Sequence, residues 1–305
     1  MGPMYRRSTW AGALLVCLVL VPQHVPGNTN DPVATAEQIR PPHDLRFATV
    51  EQGPRSCWVS PDASAIGRPH LLAFRDQQSW EEFWAQHACG RAMPTPRIRF
   101  PERMAIAYIA GEDSGSTEAE ILSIVYDRPR RTILVHTEER RDPNPLPVVL
   151  NPYHIVTCRN VPGDLVLLRD VVQPFRTLDL GGISSLRYGD PSFAGERMVV
   201  RDEWGWIDLW TRHTSMQSPP PPPPPVKFPG EMVLGTFFGH WPVSGAWVEI
   251  VKVTQTWQGS LRVEYVQRAE VGPLDVVTNP FHLVATPMWP AAVYFTERKP
   301  VPPKR

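Results

Sequence analysis

Two serine–glycine pairs and four histidines are the residues of this chain whose types and spacing could do chemistry. Ser114-Gly115 and Ser244-Gly245 set a hydroxyl beside a residue that turns freely, which would suit a nucleophile if a base stood within reach. No G-x-S-x-G elbow, H-E-x-x-H helix, G-x-x-x-x-G-K-[ST] loop or strand-borne G-x-G-x-x-G accompanies them. Glycine supplies the positive φ of a tight turn, so both pairs read as turns between strands. His87 and His213 each close a short predicted helix, and His154 and His282 each sit in a predicted strand. A metal or acid–base role needs a second group converging on the ring. A helix-terminal His is already favoured by the helix dipole, and a strand His can satisfy backbone groups. No catalytic residue, metal or cofactor is expected.

Tryptophan offers a second kind of chemistry, because an exposed indole stacks on sugar faces or anchors a protein interface. Trp80, Trp84, Trp206 and Trp210 recur at helical spacing and are expected to fill the core beneath a helix. Trp204, Trp241 and Trp257 escape that pattern. Trp241 precedes Pro242 in a turn and is the first choice for a partner contact, followed by Trp204 and Trp257.

The elements that must position these residues are written twice. Arg75-Asp76, Trp80, Trp84 and His87 recur as Arg201-Asp202, Trp206, Trp210 and His213 with identical spacing. Upstream, Phe47, Glu51, Gly53 and Ser56 answer to Phe175, Asp179, Gly181 and Ser184. Downstream, Phe100-Pro101, Met104 and Gly111 answer to Phe228-Pro229, Met232 and Gly239. Asn151-Pro152-Tyr153-His154-Ile155-Val156 returns as Asn279-Pro280-Phe281-His282-Leu283-Val284. A period this long marks tandem domains rather than a short solenoid repeat. Asp76 and Asp202 are N-caps, and each helix carries one aromatic stripe. Alternating apolar runs before and after each helix read as strands. The expected fold class is α+β: two similar tandem domains, each a curved antiparallel sheet or small barrel with one short amphipathic helix.

Residues 1–27 read as a secretory signal, with Arg6 and Arg7 ahead of the apolar run Ala11 to Val21. That run is too short to span a bilayer, for which about 20 apolar residues are needed. Val16 stands where a lipoprotein signal wants a small residue, which disfavours anchoring through Cys17. The chain then divides into an extended linker (28–45), a first copy (46–160), a linker (161–174), a second copy (175–286) and a Pro-rich tail (287–305). Leu165-Val166-Leu167-Leu168 makes the inner linker apolar enough for a strand. Export permits disulfides, and Cys57, Cys89 and Cys158 allow one pair and one remaining thiol. Basic and acidic residues balance at 31 each, which argues against nucleic acid and against a polybasic membrane surface. The seven prolines Pro219 to Pro225 predict a polyproline II segment. In an exported protein that segment is expected to be a stiff spacer rather than a ligand for an SH3-type groove.

The repeated blocks resemble the C-terminal domain of the PrcB family, accessory subunits of a secreted protease complex. The resemblance is carried by Asp202 through Trp210, Val226-Lys227-Phe228, Val233-Leu234-Gly235, Ser244 through Ile250 and Pro280-Phe281-His282-Leu283-Val284. The first copy departs at Ser114-Gly115-Ser116-Thr117-Glu118, which has no aromatic where Trp247 stands. The resemblance implies an exported, non-catalytic protein that assists or stabilises a protein partner such as a secreted protease. A different class, cell-envelope carbohydrate binding through exposed tryptophans, is the alternative.

Overall fold

A computed structural model describes residues 42–65, 67–112, 116–142, 150–242, 244–269 and 277–299. The segment 1–41 with its signal-like run and Cys17, the Ser114-Gly115 pair and the last six residues lie outside them. The first copy runs His43–Asp44 (β1), Phe47–Gly53 (β2), His70–Phe74 (β3), Gln77–His87 (α1), Arg103–Ile109 (β4), Ser116–Asp127 (β5), Thr132–Arg141 (β6), Tyr153–Arg159 (β7) and Asp164–Gln173 (β8). The second runs Arg176–Gly181 (β9), Glu196–Val200 (β10), Glu203–His213 (α2), Glu231–Phe237 (β11), Ala246–Gln255 (β12), Leu261–Ala269 (β13), Phe281–Pro287 (β14) and Val293–Glu297 (β15).

Each helix starts at an aspartate in extended conformation, whose carboxylate takes an exposed N–H. Asp76 Oδ1 accepts from Ser79 N at 2.9 Å, and Asp202 Oδ1 from Gly205 N at 2.8 Å. The buried stripe is Trp80, Phe83, Trp84 and His87 in α1, and Trp206, Leu209, Trp210 and His213 in α2. Each stripe covers one face of a four-stranded antiparallel sheet, ordered β2-β7-β4-β3 or β9-β14-β11-β10. The opposite face of that sheet packs on strands of a third sheet. In the first copy Met104, Ile106 and Tyr108 meet Ile121, Ile124 and Ile133, and in the second Met232 and Leu234 meet Val248, Ile250 and Val263. Gly111 and Gly239 close the strands beneath with φ of +83° and +101°, where a Cβ would come within 2.4 Å of a backbone oxygen. Only glycine fits there.

The third sheet overturns the expected fold class. It has seven strands in the order β1-β5-β6-β8-β12-β13-β15 and runs without interruption from one copy into the other. The described residues are mostly β, with 48% of them in strands and 11% helical, and they belong to a single compact unit rather than two α+β domains. Strands stack sideways in a repetitive, solenoid-like manner, and each unit leans on its neighbour. Segment 161–174 is therefore no linker. Its strand β8 pairs parallel with β6 from Thr132↔Asp164 to Arg140↔Val172, and its last residues pair antiparallel with Val253, Thr254 and Gln255 of β12. In the second copy β15 pairs parallel with β13 in the same way, so part of the Pro-rich tail is a matching exit strand. The repeated arginine before each helix holds these exits. Arg75 Nη2 donates to Gly163 O at 2.9 Å, and Arg201 Nη2 to Ala291 O at 2.9 Å.

Polar contacts pin β8 from both faces. Inside, Arg169 donates to both oxygens of buried Glu139 at 2.5 and 2.7 Å, and that carboxylate also takes the Tyr108 and Ser116 hydroxyls. Outside, Asp170 accepts from Trp257 N at 2.9 Å and lies 3.2 Å from His136 Nε2 and 3.3 Å from Arg262 Nη2. Lys252 bonds Glu138 at 2.5 Å, so both ionic contacts join strands of different copies. Burial works to raise the Asp170 carboxyl. His136, the Trp257 N–H and Arg262 outweigh it and hold the group below its usual range. A carboxyl lowered in the fold contributes fully above its unfolded pKa, and the contribution is lost as pH falls through the folded value. Asp170→Asn should therefore destabilise the protein by about 2–4 kcal/mol at neutral pH. The gap to wild type should close below about pH 4. Denaturant unfolding of both proteins across that range checks it, and an Asn variant as stable as wild type would remove Asp170 from the junction.

Candidate functional site

The four histidines form two kinds of relay, each built twice. In the first, Ser56 Oγ lies 2.8 Å from His87 Nδ1 and Glu51 Oε2 lies 3.1 Å from His87 Nε2. In the second copy Ser184, His213 and Asp179 repeat this at 2.8 and 3.0 Å. Serine, histidine and a carboxylate are the groups of an acyl-transfer triad, which places the serine on Nε2 and the acid on Nδ1. Here the nitrogens are exchanged and the hydroxyls are committed. Ser56 Oγ also accepts from Trp58 N at 3.2 Å and Ser184 Oγ from Leu186 N at 3.1 Å. Both serines are buried. A cleft beside the second relay is lined by Leu186, Arg187, Phe193 and Arg212, and Ser184 does not line it. Burial holds His87 below its usual pKa against the opposing pull of Glu51. The relay ties the end of α1 to β2 and the end of α2 to β9.

The other pair, His154 and His282, serves the sheets. Their Nδ1 atoms accept from Ile121 N and Ile250 N, both at 2.8 Å. These amides lie where β5 and β12 shift register. A backbone N–H can only donate, so Nδ1 is bare and the proton sits on Nε2, facing Thr49 Oγ1 at 2.9 Å and Thr177 Oγ1 at 3.0 Å. Burial lowers His154, and takes His282 down to about 4. Among the described residues no cluster of three or more His, Cys, Asp or Glu is arranged to hold a metal.

The loops after β2 and β9 are each fastened to the end of the following helix. In the first copy a disulfide joins Cys57 to Cys89 across a Cα–Cα distance of 5.1 Å, which leaves Cys158 as the buried thiol. In the second, Ser185 Oγ accepts from Met216 N at 2.9 Å instead. Burial pushes the Cys158 thiol up to about 11, far from reactive thiolate character.

The tryptophans divide sharply. Trp80, Trp84, Trp206 and Trp210 lie buried under the helices that Asp76 and Asp202 cap. Trp241, expected to point outward, does not. Its backbone exchanges hydrogen bonds with Thr278 at 2.8 and 2.7 Å, and its half-buried ring packs edge-on against Phe238. Trp257 is 51% exposed in the β12–β13 turn, and Trp204 is 83% exposed on α2. Ile207, one turn further along the same face, is also exposed, a residue that the repeat comparison alone did not single out. The corresponding face of α1 is polar. Gln78, in the place of Trp204, donates to Glu82 at 2.9 Å, and Glu81 stands in the place of Ile207. Ser244 lies half-buried in the turn before β12.

The proline run is bound to its own helix. Trp206 Nε1 donates to Pro224 O at 3.1 Å and Trp210 Nε1 to Pro221 O at 2.8 Å. These acceptors are one polyproline turn apart and the donors one α-helical turn apart, in reversed order, so the two rods lie antiparallel. Pro221 and Pro224 are half-buried, while Pro219, Pro220, Pro222, Pro223 and Pro225 are exposed. In the first copy Trp80 Nε1 donates to Pro96 O at 3.0 Å, and the buried Trp84 Nε1 has no hydrogen-bond partner among the described residues. Comparison of the chain with protein-family models, curated proteins and solved structures finds no match.

The histidine geometry has a measurable consequence. His282 ordinarily titrates near 6.5 and is lowered to about 4 in the fold. A lowered histidine stabilises the protein fully above its unfolded pKa, and that share is lost as pH falls from about 6.5 towards 4. The loss should amount to about 3 kcal/mol. His282→Gln keeps an acceptor and a donor in place and cannot titrate. Its stability should match wild type near neutrality and stay flatter on acidification in urea unfolding. Identical slopes in the two proteins would contradict the assignment.

Proposed function

We propose that this chain is an exported, non-catalytic binding protein that grips a protein partner, such as a secreted protease, with the outer face of α2. Trp204 carries the reading. A large apolar ring stands in water on a helix whose twin places Gln78 at the same position. Covering such a ring is worth about 3–5 kcal/mol before the costs of association. Tryptophans of this kind are the usual anchors of interfaces. The α2 segment is also among the blocks that resemble PrcB-type accessory subunits. The Cys57–Cys89 bridge agrees with an oxidising compartment. The absence of a catalytic role is supported by the engagement of both relay serines with a ring nitrogen and a backbone amide. Because the α1 face is polar, the grip we propose is single rather than bivalent.

Capture from the exported fraction with wild-type protein, Trp204→Ala and Gln78→Ala tests this. The partner recovered by wild type and by the Gln78 variant should be lost with Trp204→Ala, at unchanged thermal stability. Recovery that does not depend on Trp204 would defeat the proposal.

Trp257 favours one further reading. Its indole is half-exposed in a turn whose backbone is fixed by the Trp257 N–H donating to Asp170, and an exposed ring face on a fixed turn suits a sugar. If the chain binds cell-envelope glycan, peptidoglycan fragments should quench tryptophan fluorescence in wild type and much less in Trp257→Phe. No quenching in either protein would end this reading.

A further inference from the structure

We propose that Pro219–Pro225 is a preformed polyproline ligand, displayed by α2 to a protein domain whose groove is lined with aromatic side chains. The expectation of a stiff spacer accounts for two of the seven prolines. Pro221 and Pro224 face the helix and give their carbonyls to Trp210 and Trp206. A polyproline II helix has three residues per turn, so the remaining prolines form two further edges. One is Pro219, Pro222 and Pro225, the other Pro220 and Pro223, and all five are exposed.

The first copy shows how little of this the spacer needs. Its indole Trp80 holds Pro96 as Trp206 holds Pro224, which sets the two segments in register. In that register the outward positions of the first copy are Arg91, Ala92, Pro94, Thr95 and Arg97. The connection is made there with mixed residues, four of them exposed and Thr95 half-buried. In the second copy every one of those positions is proline. Anchoring uses backbone carbonyls, two on the inward edge and that of Pro225, and is indifferent to the outward rings. Recognition by an aromatic groove, in contrast, reads successive outward rings on a rod about 22 Å long.

Attachment to the helix also adapts the run for binding. A free proline-rich peptide must be ordered as it docks, and that cost is subtracted from affinity. Here the two indole bonds, with Arg176 Nη2 donating to Pro225 O at 2.6 Å, hold the rod before any partner arrives. This surface is separate from Trp204, and its failure would leave the proposed role of that residue standing.

An isolated WW domain serves as the probe, titrated into the whole protein by calorimetry. Saturable binding is expected for wild type and for Trp204→Ala. Pro222→Ala/Pro223→Ala, which leaves both anchoring carbonyls in place, should bind roughly tenfold more weakly or worse at an unchanged melting temperature. Trp210→Phe removes one anchor and should weaken binding through lost preorganisation, with the outward rings intact. No saturable binding by wild type at millimolar probe, or equal affinity in the double proline variant, would overturn the proposal.

Discussion

Strand β8 hydrogen-bonds along β6 for nine residue pairs and then, without a break, along the end of β12. That double pairing is the constraint from which the rest of the architecture follows. The residues that leave the first copy are the residues that begin the second, so neither sheet can be completed without the other. An edge strand left open exposes a row of backbone donors and acceptors, and a strand shared between neighbours removes that liability at the seam. Arg169 and Asp170, adjacent on β8, point to opposite faces and are each met by opposite charge. A ladder alone would tolerate some slippage. Buried ions with specific partners do not, because moving a charge away from its partner inside the protein costs far more than a lost apolar contact.

The same logic explains why so much of the interior is polar. A sheet that shifts register at Ile121 or Ile250 leaves an amide outside the ladder, and an amide buried without a partner is costly. A histidine from the facing sheet meets that need because its bare Nδ1 accepts while its Nε2–H donates onward to a threonine. Serine and carboxylate complete the second relay for the helix ends in a comparable way. These sites resemble catalytic ones in composition, since both uses require a ring nitrogen with a defined proton. They differ in what the chain of hydrogen bonds reaches. Here one chain runs from a backbone amide through serine and imidazole to a carboxylate, and the other from a backbone amide through imidazole to a threonine hydroxyl.

Much of this was legible in the residues. The twofold pattern, the aspartate caps and the aromatic stripes come from local spacing, and local spacing decides which side of a helix is buried. The shared sheet was not legible, because strand partners lie far apart in sequence and Leu165 to Leu168 announces a strand without saying what it pairs with. Trp241 misled for a related reason. A Trp-Pro turn favours exposure in isolation, but pairing with the distant Thr278 fixes the backbone and the ring lies half-buried on Phe238. Glu51, Ser56 and His87 each stood out as repeated positions, yet only coordinates join them across 31 and 36 residues.

A duplicated chain also carries its own control. Where both copies place the same residue in the same contacts, as with Arg75 and Arg201 or His154 and His282, the shared geometry marks what the scaffold requires. Where the copies agree in backbone and differ in what they show to water, the scaffold's need has been removed by subtraction. Gln78 against Trp204 is such a difference, and so is Thr95 against Pro223. Neither the exposed indole nor the outward proline rings complete a core contact that the first copy lacks. Holding apolar surface in water runs against the main force that folds the chain, and the twin demonstrates that the helix stands without it. The second copy is therefore where the binding proposed above has its surfaces, on the helix face and on the proline rod that the same helix holds.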